Sequence, residues 1–333
     1  MQSMKAAATE GETIESLAFS DLYLEPNGAW YKKSPRDRER RLLSSSVQSE
    51  IVELRKSLQG TSKTGFDFRA HWGGVNFRVQ RLETFDGDVY VCRRLLDKPI
   101  PFNEIGYPEL LCEAMLSDAF TDGGLVLFMG ATGDGKSMTQ ASWLGERLRR
   151  FGGTACTVEN PIEIILQGQY PGERNVIGTL YQSEVRSDSE FGPKIVQLLR
   201  AAPNMIMLGE IRGRDAAHEA VLAGTSGHLV SSTLHANDLF TGLERMKNMT
   251  SEAGLDVSFL ADSLCAVFHQ NMTISRFGDI ERRQINVTPL FISGATNQNA
   301  IRANLRSGDF SMLASEIQRQ KRIATSPAGA HRF

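Results

Sequence analysis

From Ser46 to Leu58 the apolar residues Val47, Ile51, Leu54 and Leu58 recur at helical spacing, which predicts one amphipathic helix with a single buried face. After it the period changes to two. Phe66, Phe68, Ala70 and Trp72 alternate with polar neighbours, Gly73-Gly74 supplies a tight turn, and Val75, Phe77 and Val79 alternate again. This is the pattern of a hairpin with one buried face. A second turn at Asp86-Gly87 leads into Val89-Tyr90-Val91-Cys92, so at least three adjacent antiparallel strands are expected.

The pattern changes again beyond Asp97. Pro99, Pro101 and Pro108 bracket Gly106, the punctuation of an interdomain linker. From Leu110 to about Arg319 short apolar runs alternate with helical patterns, which predicts a mostly parallel sheet covered by helices. Ala324 to Phe333 contains Pro, Gly and Ser without periodicity and is expected to be disordered. The expected division is therefore an N-terminal α/β domain at 1–96, a linker at 97–108, a second α/β domain at 109–323 and a tail at 324–333.

Composition is compatible with this plan: 333 residues, 41% hydrophobic and 23% charged, suit a globular protein of about two domains. The formal charge of −2, from 37 basic and 39 acidic residues, argues against binding nucleic acid through bulk electrostatics, and no direct nucleic-acid contact is expected. One dense basic stretch, Lys32 to Arg41, is interrupted by Asp37 and Glu39 and is read as a solvated loop or helix start. Cys92, Cys112, Cys156 and Cys265 lie far apart, which suggests neither a zinc site nor a disulfide framework and favours the cytoplasm. Glu10, Glu12 and Glu15 fall where a signal peptide would need its apolar core, and no run reaches about 18 apolar residues. Any work at a membrane is expected to proceed by docking.

The chemistry gathers where apolar runs end. Gly124-Leu125-Val126-Leu127-Phe128 reads as a strand and leads into Gly130-Ala131-Thr132-Gly133-Asp134-Gly135-Lys136-Ser137, which is GxxxxGKS. Glycines at those positions let successive N–H groups face phosphate oxygens, Lys136 reaches the β and γ phosphates, and the Ser137 hydroxyl can ligate Mg²⁺. A helix is expected to follow, with Met138, Ala141, Leu144 and Leu148 on one face, Arg147, Arg149 and Arg150 in its last turn, and Gly152-Gly153 as a stop. The loop therefore predicts ATP binding.

Open α/β sheets bind ligands beyond the carboxyl ends of their strands, so three further ends matter. Thr154 to Val158 leads to Glu159-Asn160-Pro161-Ile162-Glu163, Met205 to Leu208 leads to Gly209-Glu210, and His228 to Thr233 leads to Leu234-His235. Glu210 can deprotonate a water attacking the γ-phosphate, or serve as one half of a structural ion pair. Glu159 and Glu163 suit the waters of Mg²⁺, and equally suit the first turn of a helix. His228 and His235 are either γ-phosphate contacts or satisfied structural histidines.

Together these ends resemble one family, the secretion-superfamily ATPases of type II and type IV secretion and of type IV pili. TVENPIE (157–163) is similar to its Asp box, and the run from Leu198 to Asp238 to its Walker B and His boxes. The likeness continues through SLAFSDLYLEP, FRVQR and CRRL in the N-terminal domain and through LADSLCAVFHQNM and AIRANLRSGD near the C-terminus. It resembles most the DotB-like ATPases of type IVB secretion and their conjugal-transfer counterparts of the TraJ kind, with PilT next.

The resemblance implies a PAS-like N-terminal domain and a RecA-like P-loop domain in a hexameric ring. Such a ring would use ATP and Mg²⁺ and sit peripherally on an inner-membrane secretion or conjugation complex, beside a partner cytoplasmic ATPase. By position it makes Lys136, Ser137 and Met138 nucleotide contacts, Glu210 the catalytic carboxylate, and Glu159 and Glu163 partners of the metal and its water. It gives His228 and His235 weight near the γ-phosphate. Arg78, Arg81, Arg93, Arg94 and Arg212 become candidates to neutralise phosphoryl charge, the first four being equally readable as hairpin surface residues. Asn160 stands where the family's box commonly has Asp, which removes a charge, and the four-cysteine zinc insertion of type II assembly ATPases is absent from the sequence. A pilus motor, a RecA-like nucleic-acid translocase and a nucleotide-sensing scaffold are the competing readings.

Overall fold

The computed structural model describes residues 12–34, 37–61, 66–173, 175–277, 280–326 and 333. The chain divides into two compact units, Met1–Asp97 and Lys98–Phe333.

In the first unit, strands β1 (Asp21–Glu25), β2 (Gly28–Lys32) and β3 (Arg41–Leu42) precede helix α1 (Gln48–Thr61), and β4 (Asp67–Trp72), β5 (Val75–Thr84) and β6 (Gly87–Arg94) follow it. They form one antiparallel sheet in the order β3-β2-β1-β6-β5-β4. The period-two pattern sends Val75, Phe77 and Val79 to one face, where they join Leu22, Leu24, Tyr90 and Cys92. Val47, Ile51, Leu54 and Leu58 close over that face, each at most 6% exposed. Burying such a side chain stabilises by about 1.5–3 kcal/mol relative to leaving it in water.

Gly73 and Gly74 turn the β4–β5 hairpin at φ +51° and +81°, as a turn with both central residues left-handed requires. The alternation is weaker in β4 than the sequence suggests. That strand lies at the sheet edge, so Phe68, Ala70 and Trp72 are only half-buried, and Phe66 lies before the strand at 56% exposure. Between β2 and β3 the described part of the basic stretch is loop, with Arg40 on Glu25 at 2.9 Å and Arg41 paired with Asp37 and Glu39. Arg36 lies outside the described residues.

The second unit carries α2 (Glu109–Met115), β7 (Gly124–Gly130), α3 (Lys136–Phe151), β8 (Gly153–Glu159), β9 (Gly168–Pro171), β10 (Ile177–Glu184), α4 (Phe191–Leu199), β11 (Met205–Glu210) and α5 (Arg214–Thr225). It continues with β12 (Leu229–His235), α6 (Leu239–Glu252), α7 (Val257–Ser263), β13 (Leu264–Phe277), β14 (Ile280–Phe291), α8 (Gln298–Ser307) and α9 (Ala314–Ala324). The sheet order is β14-β13-β7-β12-β11-β8-β10-β9. The strands from β13 to β10 in that order are parallel, and the edge strands β14 and β9 are antiparallel to their neighbours.

β7 is apolar throughout because both of its faces are covered. Leu125, Leu127 and Met129 point into a core shared with α4 to α8, whereas Val126 and Phe128 point into one shared with α2 and α3. The strand thereby delivers its carboxyl end, Gly130, from a fixed interior position.

Three segments differ in detail from the sequence pattern. Phe102, Ile105 and Tyr107, within the stretch read as linker, are buried in the core of the second unit. Their apolar side chains outweigh the Pro and Gly punctuation around them. Arg147, expected with Arg149 and Arg150 in the last turn of the helix, is 2% exposed: it donates to the carbonyls of Met115 and Ser117 and lies over the rings of Phe120, Trp143 and Phe151. Burial pushes its pKa down to about 10. Of the expected tail, 327–332 lie outside the described residues, Ala324 ends α9, and the Phe333 ring packs 4.5 Å from that of Phe291. The four cysteines are buried free thiols.

Candidate functional site

Parallel pairing aligns the carboxyl ends of β7, β12, β11 and β8 along one edge of the sheet. Gly130 is in register with His235, Glu210 with Thr233, and Glu159 with Glu184 of β10. The strand direction that gathers Gly130, Glu159, Glu210 and His235 also removes His228. It precedes β12, next to Leu229, which pairs with Gly124 at the start of β7. A strand rises about 3.3 Å per residue, which puts His228 roughly 20 Å from the loop, at the opposite edge of the sheet. The expectation of a γ-phosphate contact at His228 is therefore corrected: spacing along the chain brought the two histidines together, and strand direction separates them. The imidazole of His235 is exposed, and its carbonyl accepts from Arg245 at 2.8 Å.

The loop after β7 turns through Gly133 and Gly135 at φ +90° and +81°, conformations costly for a residue with a Cβ. Gly130 is excluded from substitution by contact as well, since a Cβ there would lie 2.3 Å from the Gln270 carbonyl oxygen. Lys136 and Ser137 open α3, whose amino end is favourable for an anion. The Lys136 ammonium curls back to donate to the Ala131 carbonyl at 2.8 Å. Burial lowers its pKa, and the charges of Glu210, Asp134 and Glu163 oppose that effect.

Asp134 is engaged by the backbone. Its carboxylate accepts from the amides of Ala131 (2.7 Å) and Met272 (3.1 Å), and it is 7% exposed. Thr132, Gly133 and Gly135 complete the loop. Met138, in the first turn of α3, accepts at its sulfur from the Ile100 amide at 3.2 Å.

A cavity of about 70 Å³ adjoins the loop, lined among others by Ser137, Gln140, Glu159, Asn160, Glu163, Glu210, Arg212 and Thr233. Glu159 is 5% exposed and accepts from the Thr157 hydroxyl (2.6 Å) and the Gln182 amide (2.9 Å). Burial is the dominant cause that pushes its pKa up to about 7; the two hydrogen bonds oppose it, and Glu163 and Glu184 add to it. Glu163 is exposed at the cavity mouth. Glu210 accepts from the Arg212 guanidinium at 2.9 Å, and Arg212 also approaches Asp188 at 3.5 Å. Arg212 therefore lines the cavity as the partner of the carboxylate. Asn160 approaches Asp188 at 3.5 Å, so its amide lies toward a carboxylate.

Among the described residues no group of three or more His, Cys, Asp or Glu side chains is arranged to hold a metal by itself. The donor set of Ser137 with Glu159 and Glu163 nearby fits Mg²⁺, which takes one or two protein oxygens and completes its shell with phosphates and water. The four N-terminal arginines have partners inside the first unit. Arg78 holds Asp67 at 2.6 Å, Arg93 holds the buried Asp21 at 2.7 Å, Arg81 pairs with Glu83 and Asp88, and Arg94 donates to the carbonyls of Glu15 and Leu17.

Four residues that sequence reasoning missed complete the site. Gln140, buried in α3, donates to the Leu208 carbonyl and the Ser231 hydroxyl, tying the helix to β11 and β12. Gln182 donates to Glu159 and the Ile164 carbonyl and accepts from the amides of Leu166 and Gln167, holding the segment that carries Glu163. Gln270 and Tyr107 support the loop from behind. For Gln182 and Gln270 the readable signal was a glutamine within a strand-forming segment, at TLYQSEV and AVFHQNM.

A mostly parallel sheet with a GxxxxGKS loop and acids at neighbouring strand ends defines a P-loop nucleotide-site architecture. Residues 49–313 match the profile described as Type II/IV secretion system protein, and the chain belongs to that family. It is 39% identical to the type IV pilus ATPase PilU of Pseudomonas aeruginosa over 157 residues, 47% of this chain and 38% of that protein. It is 37% identical to type II secretion system protein E of Aeromonas hydrophila over 227 residues, 67% of this chain and 41% of that protein. The chain thus spans about four tenths of the length of these curated relatives. The pilus retraction motor PilT, solved with bound ADP, shares the fold at a TM-score of 0.73, with 22% identity over 92% of this chain and 87% of that one. The Legionella pneumophila ATPase DotB does so at 0.67, with 22% identity over 92% and 85%. Among the described residues no helix is long and apolar enough to cross a membrane.

Proposed function

We propose that this chain hydrolyses ATP with Mg²⁺ and turns the cycle into mechanical work for a type IV secretion or conjugation apparatus, as a ring of six copies in the cytoplasm docked on an inner-membrane complex. The observation that carries the hydrolytic part is the cavity lined together by Ser137, at the head of α3, and by Glu159, Glu163 and Glu210 from neighbouring strand ends. In this reading the backbone N–H groups of 130–137 and Lys136 bind the phosphates. Ser137, Glu159 and Glu163 would hold Mg²⁺ and its waters, and the bound metal would supply charge neutralisation for the phosphates. Glu210 orients the attacking water and accepts its proton at a carboxylate oxygen, while Arg212 fixes the carboxylate's rotamer and Gln182 steadies Glu159.

A pilus motor is the second reading, favoured by the identity with PilU and the fold shared with PilT. Phosphate release by the purified protein, compared with Lys136→Ala, tests the hydrolytic core: equal rates would defeat it. Native mass spectrometry with ATP and Mg²⁺ tests the ring, and crosslinking in the native cell identifies the apparatus.

A further inference from the structure

The phosphate loop has a back side as well as a ligand side. Gln270, on β13, is fully buried. Its amide donates to the Asp134 carbonyl at 2.5 Å, and its side-chain oxygen accepts from the Tyr107 hydroxyl at 2.7 Å. Its own backbone carbonyl sits where a Cβ on Gly130 would be, and the neighbouring Met272 amide donates to the Asp134 carboxylate. The loop is therefore pressed against β13 at its first residue and hydrogen-bonded to it at Asp134. Tyr107 is 7% exposed and belongs to the Pro-rich stretch that opens the second unit. Burial holds the phenol protonated well above its ordinary pKa, so it remains a donor.

We propose that Gln270 and Tyr107 are positioning residues for nucleotide: they hold the phosphate loop in its binding shape, so that the hydroxyl of Tyr107 sets affinity without touching the ligand. The inference rests on the nucleotide-site reading above. Its physical basis is that a loop whose competent shape is only fractionally populated binds more weakly by that fraction. Removing the Tyr107 hydroxyl leaves the Gln270 oxygen buried without its donor and loosens the amide that holds the Asp134 carbonyl.

The test compares the full chain with Tyr107→Phe, Gln270→Met and the double variant. One readout is affinity for fluorescent ADP with Mg²⁺; the other is hydrogen exchange of the 131–135 amides without nucleotide. Tyr107→Phe is expected to weaken ADP about tenfold and to speed exchange at those amides by a similar factor, well below its melting temperature. In the Gln270→Met background the same change is expected to alter affinity by less than about twofold, because its effect runs through Gln270. Additive single effects, or a Tyr107→Phe protein that melts earlier yet keeps parental affinity and exchange, would overturn the proposal. A parent that binds no ADP would defeat the nucleotide-site reading instead. Faster exchange at 131–135 in Tyr107→Phe would still uphold the tie in that case, and unchanged exchange would defeat it too.

Discussion

Replacing Glu159 by Gln tests whether the buried strand-end carboxylate is held near neutrality by its surroundings. Gln keeps the size and an acceptor oxygen for the Thr157 hydroxyl and the Gln182 amide, and removes the charge. In the folded chain burial pushes the Glu159 pKa from 4.5 to about 7. A carboxyl whose folded pKa is raised contributes stability that is fully present below the unfolded pKa and is lost as pH rises through the folded one. The uncharged amide introduced by Glu159→Gln has no such loss, so the advantage of that variant over the parent grows with pH.

With one pKa unit equal to about 1.4 kcal/mol, the advantage grows by about 2–3 kcal/mol between about pH 5 and about pH 8, then levels off. For a unit of this size, about 2–4 °C accompanies each kcal/mol, so the melting-temperature gap widens by about 5–10 °C. Thermal unfolding of both proteins across that range, in chelator and without nucleotide, supplies the measurement. A gap that is independent of pH, or that narrows as pH rises, refutes the argument that desolvation dominates at Glu159.

Glu210→Gln is expected to lower kcat by about 10²–10⁴-fold while ADP affinity stays within a few-fold, read by phosphate release and by fluorescent-nucleotide titration. Gly130→Ala places a Cβ 2.3 Å from the Gln270 carbonyl at a φ of +154°, and the overpacking costs about 1–3 kcal/mol. Urea unfolding should show the loss, together with weakened nucleotide binding. Arg147→Ala removes a side chain packed on three rings and the donor to two carbonyls behind α2; a loss of about 2–4 kcal/mol is expected in the same assay.

The positions legible in the sequence were those whose cause is local. Val47, Ile51, Leu54 and Leu58 share a helix face, Gly73-Gly74 demands a left-handed turn, and an all-apolar run before GxxxxGKS implies a strand buried on both faces. The misreadings were all tertiary. Arg147 sits at a helix end by sequence, but the turn that carries it faces Phe120 and Trp143 across the core, and a guanidinium stacked on rings can stay buried where local polarity suggests solvent. Tyr107 lies among prolines, yet a large ring with one polar atom is well placed when a buried acceptor waits for it, and Gln270 supplies that acceptor 163 residues away. His228 and His235 looked equivalent because a strand separates them by one element, and only its direction tells which end carries the loop.

That directionality also explains the charge arrangement at the loop. A triphosphate site must accommodate the carboxylates near it, and each acid here is held in a different setting. Asp134 is turned inward onto two backbone amides, so its charge serves the loop's shape. Glu210 is matched by Arg212 at 2.9 Å, which aims the carboxylate and offsets its field. Glu159 is desolvated until its proton is held near neutral pH, and Glu163 remains in water at the mouth, where screening is strongest. Lys136 lies within the loop, where burial lowers its pKa and the charges of Glu210, Asp134 and Glu163 oppose that effect. Acids disposed in these four ways can serve water and metal without excluding phosphate, because one is turned inward onto amides, one is paired, one is desolvated and one stands in solvent.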